Sequence, residues 1–286
     1  NWLVEDGHAS GLCLACRHNV TIPNLSRPQN AENWQRIELA KRYLIYSLVR
    51  FGLPLVTRSD APETGLGFSF LSDADKVGAP VLTGHANGLI TLNIAEASDA
   101  EREARRVSLG EPFRTLIGHF RHEVGHYYWD RLVRDRHDEE RFRAIFGDER
   151  EDYAEALKRH YAEGPAPGWE QAHVSAYAAS HPWEDFAETW AHYFHIVDAL
   201  DTADAFGLRT RPETEVAQLA LTTTFDSYRA INVQVLCDAW VPLTIAINSI
   251  NRSMGQRDLY PFVLSAPVLG KLQYIHDIVH QQAGAG

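Results

Sequence analysis

Cysteine is scarce in this chain: Cys13, Cys16 and Cys237 are the only three among 286 residues. An odd, low count offers no disulfide framework and suits a reducing compartment, so a cytoplasmic protein is expected. Positive charge is also in short supply. Against 38 acidic residues stand 27 Lys and Arg, a net charge of −11, which argues against the basic surface that nucleic-acid binding requires. Long uninterrupted apolar runs are missing too. The longest, around Ile231 to Ile247, contains Asn232, Gln234, Asp238 and Pro242 and reads as a buried helix, with no membrane span expected. Methionine occurs once, as Met254, and the chain begins at Asn1. The natural N-terminus is therefore expected to lie upstream, with any signal peptide. What remains, 45% hydrophobic and 23% charged, is ordinary globular composition.

Turn formers dominate residues 1–30, with Cys13-Leu-Ala-Cys16 among them. A C-x-x-C pair supplies half of a tetrahedral zinc site, and His8 and His18 are near enough in sequence to complete one. The alternatives are an unmetallated remnant or a piece whose other cysteine pair lies upstream. Asn30 is expected to cap a helix running to Phe51, with Ile37, Ala40, Leu44 and Leu48 at helical spacing. Strand-like runs follow at Leu53–Thr57, Gly67–Leu71, Val81–His85 and Leu89–Ile94. Asn87-Gly88 between the last two is a strong hairpin signal. Beyond residue 97 helical periodicity prevails, near 99–107, 112–135, 138–146, 150–162, 168–179, 183–200, 213–250 (broken) and 265–281.

One stretch carries chemistry. His122-Glu123-Val124-Gly125-His126 reads H-E-x-x-H inside an apolar-periodic segment. Residues four apart share a helix face, so the two imidazoles can bind one metal ion. Glu123 then points near the open side of that ion, where an attacking water sits. A catalytic zinc site needs a third protein ligand. The metzincin pattern does not supply it, because Trp129 and Leu132 stand where its glycine and third histidine would be. The better source is His181-Pro-Trp-Glu184-Asp185-Phe-Ala-Glu188-Thr-Trp-Ala-His192. Pro182 suits a helix start, and Glu184 and Glu188 share a face. Glu184 is assigned as the ligand. Glu188, one turn on, is assigned to accept the N–H of a ligand histidine and fix its tautomer; the reverse assignment stays open. Asp185 points about 100° away on the helix and is a weaker candidate. His119 either lines the site or packs. His192 and His195 read as structural, and Cys237 as a buried small hydrophobe.

These motifs resemble those of the bacterial zinc-binding metallopeptidases that carry an N-terminal zinc ribbon. The likeness rests on Thr83-Gly-His-Ala-Asn-Gly-Leu-Ile-Thr-Leu-Asn93, on Gly118-His-Phe-Arg-His-Glu-Val-Gly-His-Tyr-Tyr-Trp-Asp130, on the 181–192 segment and on Asp258-Leu-Tyr-Pro-Phe-Val-Leu264. It covers nearly the whole chain. It implies an α+β, zincin-like fold with a small N-terminal sheet, a mostly helical C-terminal part and the active-site cleft between them. Residues 1–25 would be the remnant of a truncated ribbon or a linker, and 26–286 the catalytic domain. Cys13 and Cys16 resemble the ribbon's last cysteine pair, so a second, structural zinc is expected only with an intact ribbon. A more distant likeness is to gluzincins of the lethal-factor type, which carry a tyrosine seven residues before the glutamate. Here that residue is Tyr177, and the likeness implies that its phenol donates to the developing oxyanion. By the same likeness, the strand Leu89–Ile94 would pair with an extended peptide at the cleft edge.

The function expected is a zinc-dependent hydrolase of peptide or amide bonds, with one catalytic Zn2+ on His122, His126 and Glu184, Glu123 as general base, and a peptide or protein as substrate. Two alternatives stand beside it. One is a non-catalytic binding protein of the same fold with a structural metal, against which Glu123 counts, since only chemistry requires it. The other is an isopeptidase that removes an amide-linked tag. The sequence carries no signal of oligomeric state.

Overall fold

Arg27 takes the extended backbone of an N-cap and Pro28 opens the first long helix, so the helix begins three residues earlier than a cap at Asn30 predicts. Proline is pre-organised for the first turn, where its missing N–H costs nothing. Asn30 lies inside the helix and donates from its side chain to the Asn24 carbonyl. A computed structural model describes residues 2–5, 8–73, 81, 83–108, 115–213, 219–221 and 225–283. Among these residues the architecture is mixed α+β: one small sheet, and helices that dominate the second half of the chain. Two compact units divide it, Asn1–Arg131 and Leu132–Gly286.

The first unit holds a short helical turn α1 (Leu14–Arg17), β1 (Asn19–Thr21), α2 (Pro28–Arg50), β2 (Gly67–Leu71), β3 (Gly84–Ala86), β4 (Leu89–Asn93), α3 (Asp99–Ser108) and α4 (Leu116–Leu132). The sheet runs in the order β1-β2-β4-β3, with β1 and β4 parallel to β2 and β3 antiparallel to β4. Asn87 and Gly88 both have positive φ, 46° and 81°, the turn geometry that a two-residue hairpin favours. A side chain at Gly88 would also meet the Gly65 carbonyl at 2.6 Å, so glycine is required there twice over.

This order corrects one expectation: β4 is an interior strand, paired on both sides, and β1 and β3 take the edges. A second correction concerns Leu53–Thr57. It forms no strand and contributes only an isolated bridge from Thr57 to Leu66. The run expected at Val81–His85 appears as the shorter β3, with residue 82 outside the described residues.

Phe68 and Phe70 on β2 meet Phe120 of α4 edge-on, at centroid distances of 5.7 and 6.0 Å. All three are fully buried, and each such side chain contributes about 1.5–3 kcal/mol. Phe120 is two residues before His122, so this packing fixes the rotation of the helix that carries the histidines. At the far end of α4, Tyr128 donates its phenol to the Pro54 carbonyl at 2.9 Å.

The second unit holds α5 (Glu139–Phe146), α6 (Tyr153–Glu163), α7 (Pro182–Ala205), α8 (Val233–Ser253) and α9 (Ala266–Ala283). Phe142, Phe146, Phe186 and Tyr274 form an aromatic cluster joining α5, α7 and α9. The helix expected at 168–179 does not form. Its residues make only two short 3-10 turns, Trp169–Gln171 and Ala178–Ser180. Pro165 and Pro167 precede it, and Gly168 adopts a left-handed φ of 78°; these breakers override the periodicity. Helix α8 is long and apolar enough, by length and composition, to cross a membrane. It also packs on α7 and α9, with Leu236, Trp240 and Leu243 buried.

Candidate metal centre

Every residue of α4 from Phe120 to Asp130 is buried. A helix buried on all faces is ordinarily apolar on all faces, yet this one carries Arg121, His122, Glu123, His126 and Asp130. Burying that many polar groups is costly unless they are paired or bind an ion. His122 and His126 stand one turn apart, their ring centroids 4.9 Å from each other and nearly perpendicular at 87°. The hairpin brings a third imidazole nearby: His85 stacks on His126 at 6.3 Å and accepts the Gly88 N–H through Nε2.

Glu123, 6% exposed, has its Oε1 3.2 Å from His119 Nε2. Burial by itself would raise its pKa. The hydrogen bond and charge of His119, with the nearby His122 and His126, outweigh burial and hold it below the usual carboxylate value. Glu123 is therefore an ionised carboxylate in a dry setting, the state a general base needs. His119 answers in the opposite direction. Burial would lower its pKa, but the Glu96 charge and hydrogen bonds to Glu123 and Glu96 push it up to about 9.

Glu184 and Glu188 come from α7. His181 caps this helix, its Nδ1 accepting the Trp183 N–H at 3.1 Å, and Pro182 follows at the first helical position. Glu184 is 1% exposed, and Tyr153, the first residue of α6, donates its phenol to Glu184 Oε1 at 2.6 Å. Ser175 donates to Glu188 Oε2 at 2.6 Å and is itself fixed by the Ala178 N–H. Asp185 turns the other way, onto Lys271 Nζ at 2.5 Å, and Lys271 also donates to the Ala172 carbonyl. Burial pushes Asp185 up to about 7 in spite of that cation. Tyr177 is half-buried. Burial and then the Glu184 charge raise its pKa well above that of an ordinary tyrosine, so it keeps its proton. His192 bonds Tyr260 through Nδ1 at 2.7 Å, and burial lowers it to about 4. The Asp258–Leu264 motif thus has a packing role through Tyr260.

One ligand atom from each of His122, His126 and Glu184 lies within 4.8 Å of the other two, and all three residues are buried. Two imidazole nitrogens and one carboxylate fit zinc, and three protein ligands leave a fourth position for water or substrate. Two contacts here were not read from the sequence. Tyr153 on Glu184 spans 31 residues, and Glu96 on His119 spans 23; no local period signals either.

Partners of ligating groups tune metal affinity by about 10–100-fold. Tyr153→Phe removes the phenol from Glu184 and is therefore expected to weaken zinc binding by about that factor. A competition titration against a zinc chelator measures it, and an unchanged affinity would show that Tyr153 does not hold the carboxylate in place.

A buried group of two histidines and a glutamate that could hold a metal ion defines the class as metal-binding, and sequence comparison gives the family. Residues 30–278 match the family model described as "Putative zinc-binding metallo-peptidase", and the chain belongs to that family. At a coarse level it is thus a zinc metallopeptidase. It is 45% identical over 284 residues to uncharacterized proteins of Mycobacterium tuberculosis and Mycobacterium bovis, covering 99% of this chain and 80% of each relative. No solved structure matches it.

Proposed function

We propose that this chain is a gluzincin-type hydrolase of peptide or amide bonds, with a zincin-like fold, in which His122, His126 and Glu184 hold one zinc ion and Glu123 is the general base. The observation that carries this reading is the buried donor set, two imidazoles and one carboxylate with ligand atoms within 4.8 Å. Zinc bound there would supply Lewis acidity and bring the pKa of water towards ~7.

The chain's own residues do the rest. Glu123 takes a proton from water as the water oxygen bonds to the amide carbon. It delivers that proton to the nitrogen as the C–N bond breaks. Tyr177 donates its phenolic proton in a hydrogen bond to the carbonyl oxygen as negative charge develops. Tyr153 and Ser175 hold Glu184 and Glu188 by one oxygen each. Glu188 is assigned to orient a ligand histidine by accepting its N–H. A peptide or protein is the substrate and the cytoplasm the setting. An extended peptide that adds to the sheet beside β4 would do so at β3, one of the two edge strands. Cys13 and Cys16 would take a structural zinc only with the further ligands of an intact ribbon.

A peptide library digested by the zinc-loaded protein tests this reading. Cleavage is expected, to stop with a chelator and to return on adding zinc; cleavage that persists after full zinc removal would contradict it. In the same digestion Tyr177→Phe is expected to slow turnover by about 10²–10³, the loss typical of one oxyanion donor, with zinc content unchanged. Equal rates would remove Tyr177 from the mechanism.

A further inference from the structure

The Thr83–Asn93 hairpin motif and His119 have no part in the chemistry above, yet they converge on the general base. Thr83 donates its hydroxyl to Glu96 Oε1 at 2.8 Å, and Glu96 Oε2 lies 2.6 Å from His119 Nδ1. The other ring nitrogen, His119 Nε2, is 3.2 Å from Glu123 Oε1. Glu96 and Glu123 are 1% and 6% exposed, so both carboxylates are shut away from water, and the His119 side chain between them is 16% exposed.

Its far end is anchored to the backbone. Asn93, the last residue of β4, accepts the Ala95 N–H and so caps the 3-10 turn Ile94–Ala97 that carries Glu96. Arg102 donates to the Glu96 carbonyl at 2.7 Å, and Thr83 also accepts the Asn93 N–H. Glu96 therefore cannot follow His119 if the ring moves. It fixes the ring instead.

Both nitrogens of His119 face carboxylate oxygens. An ionised carboxylate only accepts, so both bonds form when both ring nitrogens carry protons. A half-buried cation between two buried anions satisfies all three groups, whereas removing one would leave an uncompensated charge. Glu123 is then tethered by Oε1 alone, and its Oε2 keeps its acceptor capacity for another donor.

We propose that Glu96 and His119 form a positioning relay that holds the Glu123 carboxylate by Oε1 and presents Oε2 to the proton of the attacking water. His119 acts through Glu123 and touches neither substrate nor metal. The proposal rests on the general-base role given to Glu123 above. A base held within about 0.5 Å of its productive place by locked neighbours is what preorganised sites require.

The test uses the full chain, with and without zinc, labelled with 15N in histidine. Long-range 1H–15N spectra at neutral pH are expected to show both His119 ring nitrogens protonated in the native protein, and a singly protonated ring in Glu96→Ala. In peptide hydrolysis, His119→Asn and Glu96→Gln are expected to lower kcat about 10–100-fold, with KM and zinc affinity unchanged. A merely structural role would move folding and zinc binding as well. A singly protonated His119 in the native protein overturns the relay. So does unchanged kcat in both variants while Glu123→Gln abolishes turnover. If Glu123→Gln leaves turnover intact, or no peptide is cleaved, the general-base reading fails, and the ring-nitrogen spectra still decide whether His119 bridges the two carboxylates.

Discussion

Glu123→Gln is expected to keep its zinc and lose turnover by about 10²–10⁴, the usual weight of a positioned general base. The change is nearly isosteric, and Glu123 is not among the three metal-binding residues, so zinc affinity should hold. What disappears is a negative, accepting oxygen that His119 holds in place and keeps ionised against the opposing effect of burial. Steady-state kcat with a cleaved peptide, paired with zinc analysis of the same sample, gives both quantities. Retained hydrolysis would mean that some other group takes the proton. Loss of zinc together with activity would mean that Glu123 is a ligand, which would require a different donor set.

Glu184→Gln is expected to remove most of the stabilisation that zinc gives the protein. A ligand present at about a thousand times its dissociation constant stabilises the folded state by about 4 kcal/mol. In a chain of this size that corresponds to a rise in Tm of roughly 8–16 °C, at about 2–4 °C per kcal/mol. The native protein should show such a rise on adding zinc, and the variant little or none. Glutamine is the informative replacement because its amide oxygen still accepts from Tyr153, whose phenol lies 2.6 Å from Glu184 Oε1. Alanine would strand that phenol, at a cost of about 1–3 kcal/mol that has nothing to do with metal. Metal-free Glu184→Gln should therefore melt close to the metal-free native protein. A full zinc-induced rise in the variant would exclude Glu184 as a ligand.

Local patterns in the sequence carried much of this structure, and their reach ends where contacts become long-range. His122 and His126 share a face because a helix repeats every 3.6 residues, so four letters of spacing were enough. Asn87-Gly88 announced the hairpin through the positive φ that both positions adopt. Pro182 announced the start of α7. The segment at 168–179 shows the opposite case: periodic apolar residues promised a helix, and the prolines and glycine just before it prevented one. That irregular stretch carries Ser175, which bonds Glu188, and Tyr177. The position of β4 inside the sheet follows from its parallel pairing with β2, and strand order is not written in any one strand. Tyr153, Glu96 and Thr83 look like ordinary polar residues in the sequence. They matter because the fold delivers Tyr153 to the carboxylate of Glu184, Glu96 to the ring of His119 and Thr83 to Glu96.

An anomalous difference map collected at the zinc edge from crystals of the zinc-loaded protein tests the central claim most directly. The expected result is a peak about 2.0–2.2 Å from a ring nitrogen of His122, a ring nitrogen of His126 and a carboxylate oxygen of Glu184. A zinc peak bounded by His122 and His126 with Glu184 outside that range, or no peak at these residues, would contradict it.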